Sequence, residues 1–114
     1  MTPHELARLM AHAASETKAR DIVVLHLSKL TSFTDYFVIC SGTSDRHALA
    51  IVEAMERSLK TKKRKLLGIE GKESAHWILV DCGDVVAHVF HEDERLLYNI
   101  EKLWGDAPRV RFRL

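Results

Sequence analysis

Apolar positions along the chain follow two rhythms. Over 3–19, Leu6, Leu9, Met10 and Ala13 recur at the spacing of one helix face, which predicts a helix lying on a sheet. Thr2 is placed to cap it, Pro3 suits its first position and Glu5 sits in its first turn. A strand is predicted over 21–27, where Ile22, Val23 and Val24 give it two buried faces at its centre. A polar loop over 28–34 precedes a second strand over 35–40, which ends in Ser41, Gly42 and Thr43. Ser44 caps a helix over 45–64, whose apolar stripe is Ala48, Ile51, Val52, Met55 and Leu59. A short strand is expected over 66–71. Further on, Leu96, Ile100 and Leu103 form the stripe of a last helix over 93–104, with Leu97 and Trp104 beside it and Gly105 as its stop. In the tail, Arg109, Arg111 and Arg113 alternate with Val110, Phe112 and Leu114. That segment either docks as an edge strand or is disordered, as chain ends often are.

Between these elements, the stretch from His76 to Trp104 organises the molecule. Gly83-Asp84 suits a type II′ hairpin turn between two strands. Counting outward from it pairs Cys82 with Val85, Val80 with Ala87 and Ile78 with Val89. These six share one wholly apolar face, which belongs to the core. The opposite face pairs Trp77 with Phe90, Leu79 with His88 and Asp81 with Val86. Two readings of this mixed face stand side by side. Aromatic residues next to charges make a protein-binding patch; alternatively, the last helix covers the face and buries Trp77 and Phe90.

The element order is α, β, β, α, β, β, β, α. It predicts an α/β sandwich around a mixed sheet of about five strands, with two helices on the apolar face. With 114 residues the chain is long enough for one domain, expected over 1–105 with a tail over 106–114.

Charge and composition narrow the function. A formal net charge of +1 gives little bulk attraction to nucleic acid, so direct RNA contact is expected to be minor. One local exception is the run Lys60, Lys62, Lys63, Arg64 and Lys65. It reads first as a solvated helix end and second as a contact for RNA phosphates. Cys40 and Cys82 each lie in an apolar strand and are expected to be reduced, buried small hydrophobes. No apolar run approaches the ~20 residues of a membrane helix. The N-terminal stretch carries Glu5 and Glu16 and lacks an apolar leader, so a cytoplasmic location is expected.

Candidate chemistry is thin. Gly42-Thr43-Ser44-Asp45-Arg46-His47 joins a strand to a helix, as phosphate sites do, but it lacks the lysine of a P-loop and the spacing of a dinucleotide fingerprint. The seven histidines form no zinc pair; His88 and His91 point to opposite faces of one strand. Asp81 and Asp84 lie close together, but one precedes the turn and the other is in it. Glu92 and Glu94 suit a helix start. No set of residues meets the geometric requirements of catalysis, so a non-enzyme without cofactor or metal is the favoured reading.

Several strings together carry a family resemblance. They are Thr34-Asp35-Tyr36-Phe37-Val38-Ile39-Cys40-Ser41-Gly42-Thr43-Ser44, Arg46-His47, Gly68-Ile69-Glu70-Gly71, Trp77-Ile78-Leu79-Val80-Asp81, Gly83-Asp84-Val85-Val86 with His88, and Leu97-Tyr98 with Glu101, Leu103 and Trp104. From about Leu6 to Trp104 the chain resembles the ribosomal silencing factor (Iojap) family. The resemblance implies a nucleotidyltransferase-like α/β fold that is catalytically inactive. It also implies binding to the large ribosomal subunit through its protein fourteen, which blocks joining of the small subunit and represses translation when nutrients are scarce. Some relatives act in mitochondria or chloroplasts; without a transit peptide, a bacterial cytosolic member is expected.

The hairpin register proposes Trp77, Asp81, His88, Phe90, Glu94 and Tyr98 as the partner-binding residues. Trp77 and Phe90 would anchor, Asp81 and Glu94 would meet basic groups, and Tyr98 lies one turn from Glu94 on the same helix face. If the last helix covers the face, the contact shifts to the outer side of that helix and its neighbouring strand. A second copy of the chain is a further expected partner, covering the Trp77 face off the ribosome. The rivals are a factor for maturation of the large subunit, a nucleotide-binding nucleotidyltransferase-like enzyme using Gly42 to His47, and an RNA-binding module using Lys60 to Lys65.

Overall fold

The computed structural model describes all 114 residues. Helix α1 spans Pro3–Glu16 and begins in a complete capping box: Thr2 Oγ1 accepts from the Glu5 N–H, and the Glu5 carboxylate accepts from the Thr2 N–H. Strands β1 (Arg20–His26) and β2 (Tyr36–Gly42) follow, then helix α2 (Asp45–Thr61), capped by the Ser44 hydroxyl. Strands β3 (Gly68–Glu70), β4 (Trp77–Asp81) and β5 (Val85–His91) lead to two short helices, α3 (Glu92–Tyr98) and α4 (Ile100–Leu103). Arg109–Val110 forms β6.

The sheet has six strands in the order β3-β4-β5-β2-β1-β6. Five strands were expected; the sixth comes from the tail, which takes the edge-strand alternative and pairs antiparallel with β1. Its Val110 and Phe112 pack against the main core, which secures it. Only β2 and β5 run parallel. The β4–β5 register is the one counted from the turn: Trp77 opposite Phe90, Ile78 opposite Val89, Leu79 opposite His88, Val80 opposite Ala87 and Asp81 opposite Val86. Gly83 provides the turn's positive φ of 85°.

The two faces of the sheet are covered unequally. On one, α1 and α2 lie over Val38, Cys40, Ile78, Val80, Val85, Ala87 and Val89, forming a buried cluster of 23 residues. The expected stripe of α2 is buried in full. On the other face only six residues form a buried cluster, centred on Phe37, Ile39 and Phe90 and roofed by Ala107, Ile100 and Trp104. Along β4 at the side of that face, Trp77, Leu79 and Asp81 stay partly exposed while Ile78 and Val80 are buried in the main core.

A continuous helix over 93–104 does not form. Asn99 adopts the left-handed conformation (φ 46°, ψ 50°), ending α3 and starting α4 at a new angle. The anticipated stripe is split by this corner. Ile100 and Trp104 turn onto the sheet, whereas Leu96 and Leu103 are 80% and 77% exposed. Arg95 holds the corner from inside: its guanidinium donates to both Glu101 oxygens (2.9 and 3.2 Å), to Ser41 Oγ (2.9 Å) and to the Arg20 carbonyl (3.4 Å).

Candidate docking surface

The six residues proposed from the hairpin register fall into two layers. Phe90 is fully buried and His88 nearly so, because α4, Trp104 and the packed rings of Phe37 and Trp77 close over them. Neither is exposed in this conformation, as the alternative in which the last helix covers the face expects for Phe90. They form the floor on which the outer layer stands. That outer layer is Trp77, half-buried and packed on Tyr98, with Asp81 farther along β4 and Glu94 on α3, both partly exposed.

Trp77 is held from three sides. Its ring stacks on Phe90 at 5.2 Å between centroids and meets Tyr98 at 4.6 Å. Its indole Nε1–H donates to His88 Nδ1 at 3.1 Å. That bond places the His88 proton on Nε2, which is buried without a polar partner and packs edge-to-face beside Phe37. Burial pushes the His88 imidazole down to about 4, so at neutral pH it is an uncharged acceptor for Trp77. Gly71 sets the approach to β4: a Cβ there would lie 2.1 Å from the Trp77 carbonyl oxygen. Trp77 is thus a rigid, half-buried aromatic, fixed by Phe90, Tyr98 and His88 with the remainder of its ring exposed.

Around it the surface is apolar and acidic. Leu79, Val86 and Leu67 line a shallow cleft of about 190 Å³ with Asp81 and Glu70 at its edge. The Asp81 carboxylate accepts the Gly83 N–H at 2.8 Å, which fixes its orientation and leaves its second oxygen free of protein hydrogen bonds. Glu94 lies 3.8 Å from His76 Nδ1, and His76 Nε2 lies 3.5 Å from Asp45. On α3, Glu94, Leu97 and Tyr98 share one face by their spacing. Leu97 is 73% exposed, so the apolar surface continues from Trp77 through Tyr98 onto the helix.

Sequence reasoning missed the exposed leucines. Leu96, Leu97 and Leu103 fit a core stripe only if the helix is unbroken. Asn99, a residue that accepts the left-handed conformation, was the available sign of the corner.

The other candidate sites resolve into structural roles. In the loop after β2, the Thr43 N–H donates to His47 Nδ1 at 2.9 Å, and His47 Nε2 lies 2.7 Å from the Thr17 carbonyl. That loop therefore ties the end of α1 to the start of α2, and its amide is already engaged. Asp84 pairs with Arg64 rather than with Asp81. His91 caps α3, accepting the Asp93 N–H. No group of three or more histidine, cysteine, aspartate or glutamate side chains is arranged to hold a metal ion. Both cysteines are free; burial pushes Cys40 up to about 12 and Cys82 up to about 11, which keeps the thiols protonated and unreactive. No helix is long and apolar enough to cross a membrane.

A mixed α/β sheet covered by two helices on one face and half open on the other, with a half-buried tryptophan packed on Phe90 and Tyr98, defines a small α/β domain. The chain belongs to the family described as "Ribosomal silencing factor during starvation", whose model matches residues 1–113 and so includes the segment after Gly105. It is 42% identical over 110 residues to "Ribosomal silencing factor RsfS" of Halalkalibacterium halodurans, covering 96% of this chain and 94% of that protein. It is 41% identical over 92 residues to "Mitochondrial assembly of ribosomal large subunit protein 1" of Mus musculus, covering 78% of this chain and 40% of that protein. A crystal structure from Chromobacterium violaceum superimposes with a TM-score of 0.90 at 37% identity, covering 100% of this chain and 94% of the other.

Proposed function

We propose that this protein is a non-catalytic translational repressor of the bacterial cytoplasm. It docks through the Trp77 surface onto protein fourteen of the large ribosomal subunit, and by its bulk there blocks joining of the small subunit when nutrients are scarce. The observation that carries this reading is the outer layer of Trp77, Asp81, Glu94, Leu97 and Tyr98. An aromatic anchor on a rigid floor, with carboxylates at the far end of its own strand (Asp81) and on the helix that carries Tyr98 (Glu94), suits a ribosomal protein surface, which is usually basic. Blocking by position needs affinity and volume rather than reacting groups, so the nucleotidyltransferase-like fold is read as catalytically inactive. An interface of standard size, ~1,600 Å² in total, is sufficient. Off the ribosome, a second copy covers the same apolar surface.

The mouse relative's name favours one companion reading, a role in maturation of the large subunit, which would use the same docking surface. Calorimetric titration of the isolated ribosomal protein fourteen into this protein tests the contact. Saturable binding that is lost in Trp77→Ala supports it; silence with the wild-type protein removes protein fourteen as the partner.

A further inference from the structure

Charge is distributed unevenly over this molecule. Between Glu56 and Glu70 there are six basic residues and no acidic one: Arg57, Lys60, Lys62, Lys63, Arg64 and Lys65. The chain has 17 basic and 16 acidic residues, so eleven basic face sixteen acidic in all the rest. The helix dipole of α2 accounts for cations in its last turn, but Lys63 and Lys65 lie beyond the helix end.

The segment that carries them is fixed. Lys63 is in the left-handed conformation (φ 54°), and the amides of Lys62, Lys63 and Arg64 donate to the carbonyls of Ser58, Lys60 and Leu59 at 2.9–3.1 Å. Arg64 is drawn inward onto Asp84 in the β4–β5 turn, pinning the segment to the sheet. Lys60, Lys62, Lys63 and Lys65 are exposed and make no ion pair; the neighbouring Lys72 is taken by Glu56. Two residues past Lys65, the Leu67 N–H donates to the Asp81 carbonyl at 2.8 Å. Lys65 therefore lies beside the Asp81 end of the docking surface, and Lys62 and Lys63 precede it on the same firmly held turn at the end of α2.

We infer that Lys62, Lys63 and Lys65 form a second contact that binds the phosphate backbone of ribosomal RNA beside the protein partner seated on Trp77. This rests on the docking reading above and adds a chemistry to it: an acidic, aromatic surface for protein and a basic rim for RNA. Lysines recognise phosphates as point charges and carry no base-reading geometry, so the contact adds affinity without sequence preference.

Each phosphate neutralised adds roughly 0.7 to 0.9 to the slope of log affinity against log salt. Removing all three lysine charges therefore abolishes roughly a 20- to 40-fold fall in affinity between 50 and 200 mM salt. The experiment measures binding to purified large subunits across that range for the wild-type chain, K62Q/K63Q/K65Q and Trp77→Ala, and repeats it on naked ribosomal RNA at low salt. The expected result is a shallower salt slope on subunits for the triple variant, and RNA binding lost in that variant but kept in Trp77→Ala. Equal slopes for wild type and triple variant overturn the inference. A shallower slope without any naked-RNA binding also overturns it, assigning the lysines to an acidic protein surface. If the wild-type chain fails to bind subunits, the docking reading falls, and the RNA arm alone decides: binding lost in the triple variant upholds the lysine site, and no binding ends it.

Discussion

Two side chains concentrate the chemistry of the proposed docking surface, Trp77 and the His88 that accepts its indole N–H. Truncating a buttressed aromatic anchor typically costs about 2 kcal/mol or more, so Trp77→Ala is expected to weaken large-subunit binding about 30-fold while the fold persists, measured by sedimentation. His88 makes stability depend on pH. The unfolded chain takes up a proton as pH falls through the ordinary histidine value of 6.5, whereas the folded chain resists until about 4. This contribution is complete above about 6.5 and is lost as pH falls, by about 3 kcal/mol at pH 4. Urea unfolding at pH 7 and pH 5 should show the decline, and His88→Gln should flatten it. At this scale the register of every β4–β5 pair was legible, because a two-residue turn and strict alternation determine it. Depth was not legible: Phe90 is core and Trp77 half-open because of what roofs them, and the roof comes from α4 and the tail.

Helices α3 and α4 show where periodicity misleads. The spacing of Leu96, Ile100 and Leu103 is that of a buried stripe, yet one left-handed residue reassigns two of the three to the surface. The corner is held by the Arg95–Glu101 pair, whose side chains are 9% and 19% exposed. Removing one partner of a charge-assisted, largely buried pair costs about 2 kcal/mol here. Glu101→Ala is thus expected to lower unfolding stability by that amount and loosen the helix that positions Tyr98. Leu97→Ser makes the contrast. Its side chain is exposed, so stability should stay within about 0.5 kcal/mol, while binding to large subunits weakens. Loss of stability in this variant would show that Leu97 packs within the monomer. The tail illustrates the opposite case: alternation of Arg109, Arg111 and Arg113 with Val110, Phe112 and Leu114 offered an edge strand as one of two alternatives, and the sheet takes up Arg109–Val110 as that strand.

For the molecule as a whole, unequal coverage of the sheet links fold to proposed function. The helical layer over one face supplies the stability of the domain. The other face carries a small cluster, an aromatic ladder and an open strip between β3 and β5. On the proposed reading, the acidic groups of that strip meet a protein partner and the lysines beyond it meet RNA. The α/β class and the two helices on the apolar face were legible from amphipathic patterns alone. That the second face is only half roofed was not, because it depends on where short elements turn. In the proposed function this surface acts by occupancy: binding to the large subunit excludes the small one. The most direct measurement mixes purified large and small subunits under joining conditions, with and without the protein, and resolves them by sedimentation. The expected result is that the protein travels with large subunits alone, that joined ribosomes fall as it is added, and that Trp77→Ala restores them. Protein travelling with intact joined ribosomes, with joining undiminished, would contradict it.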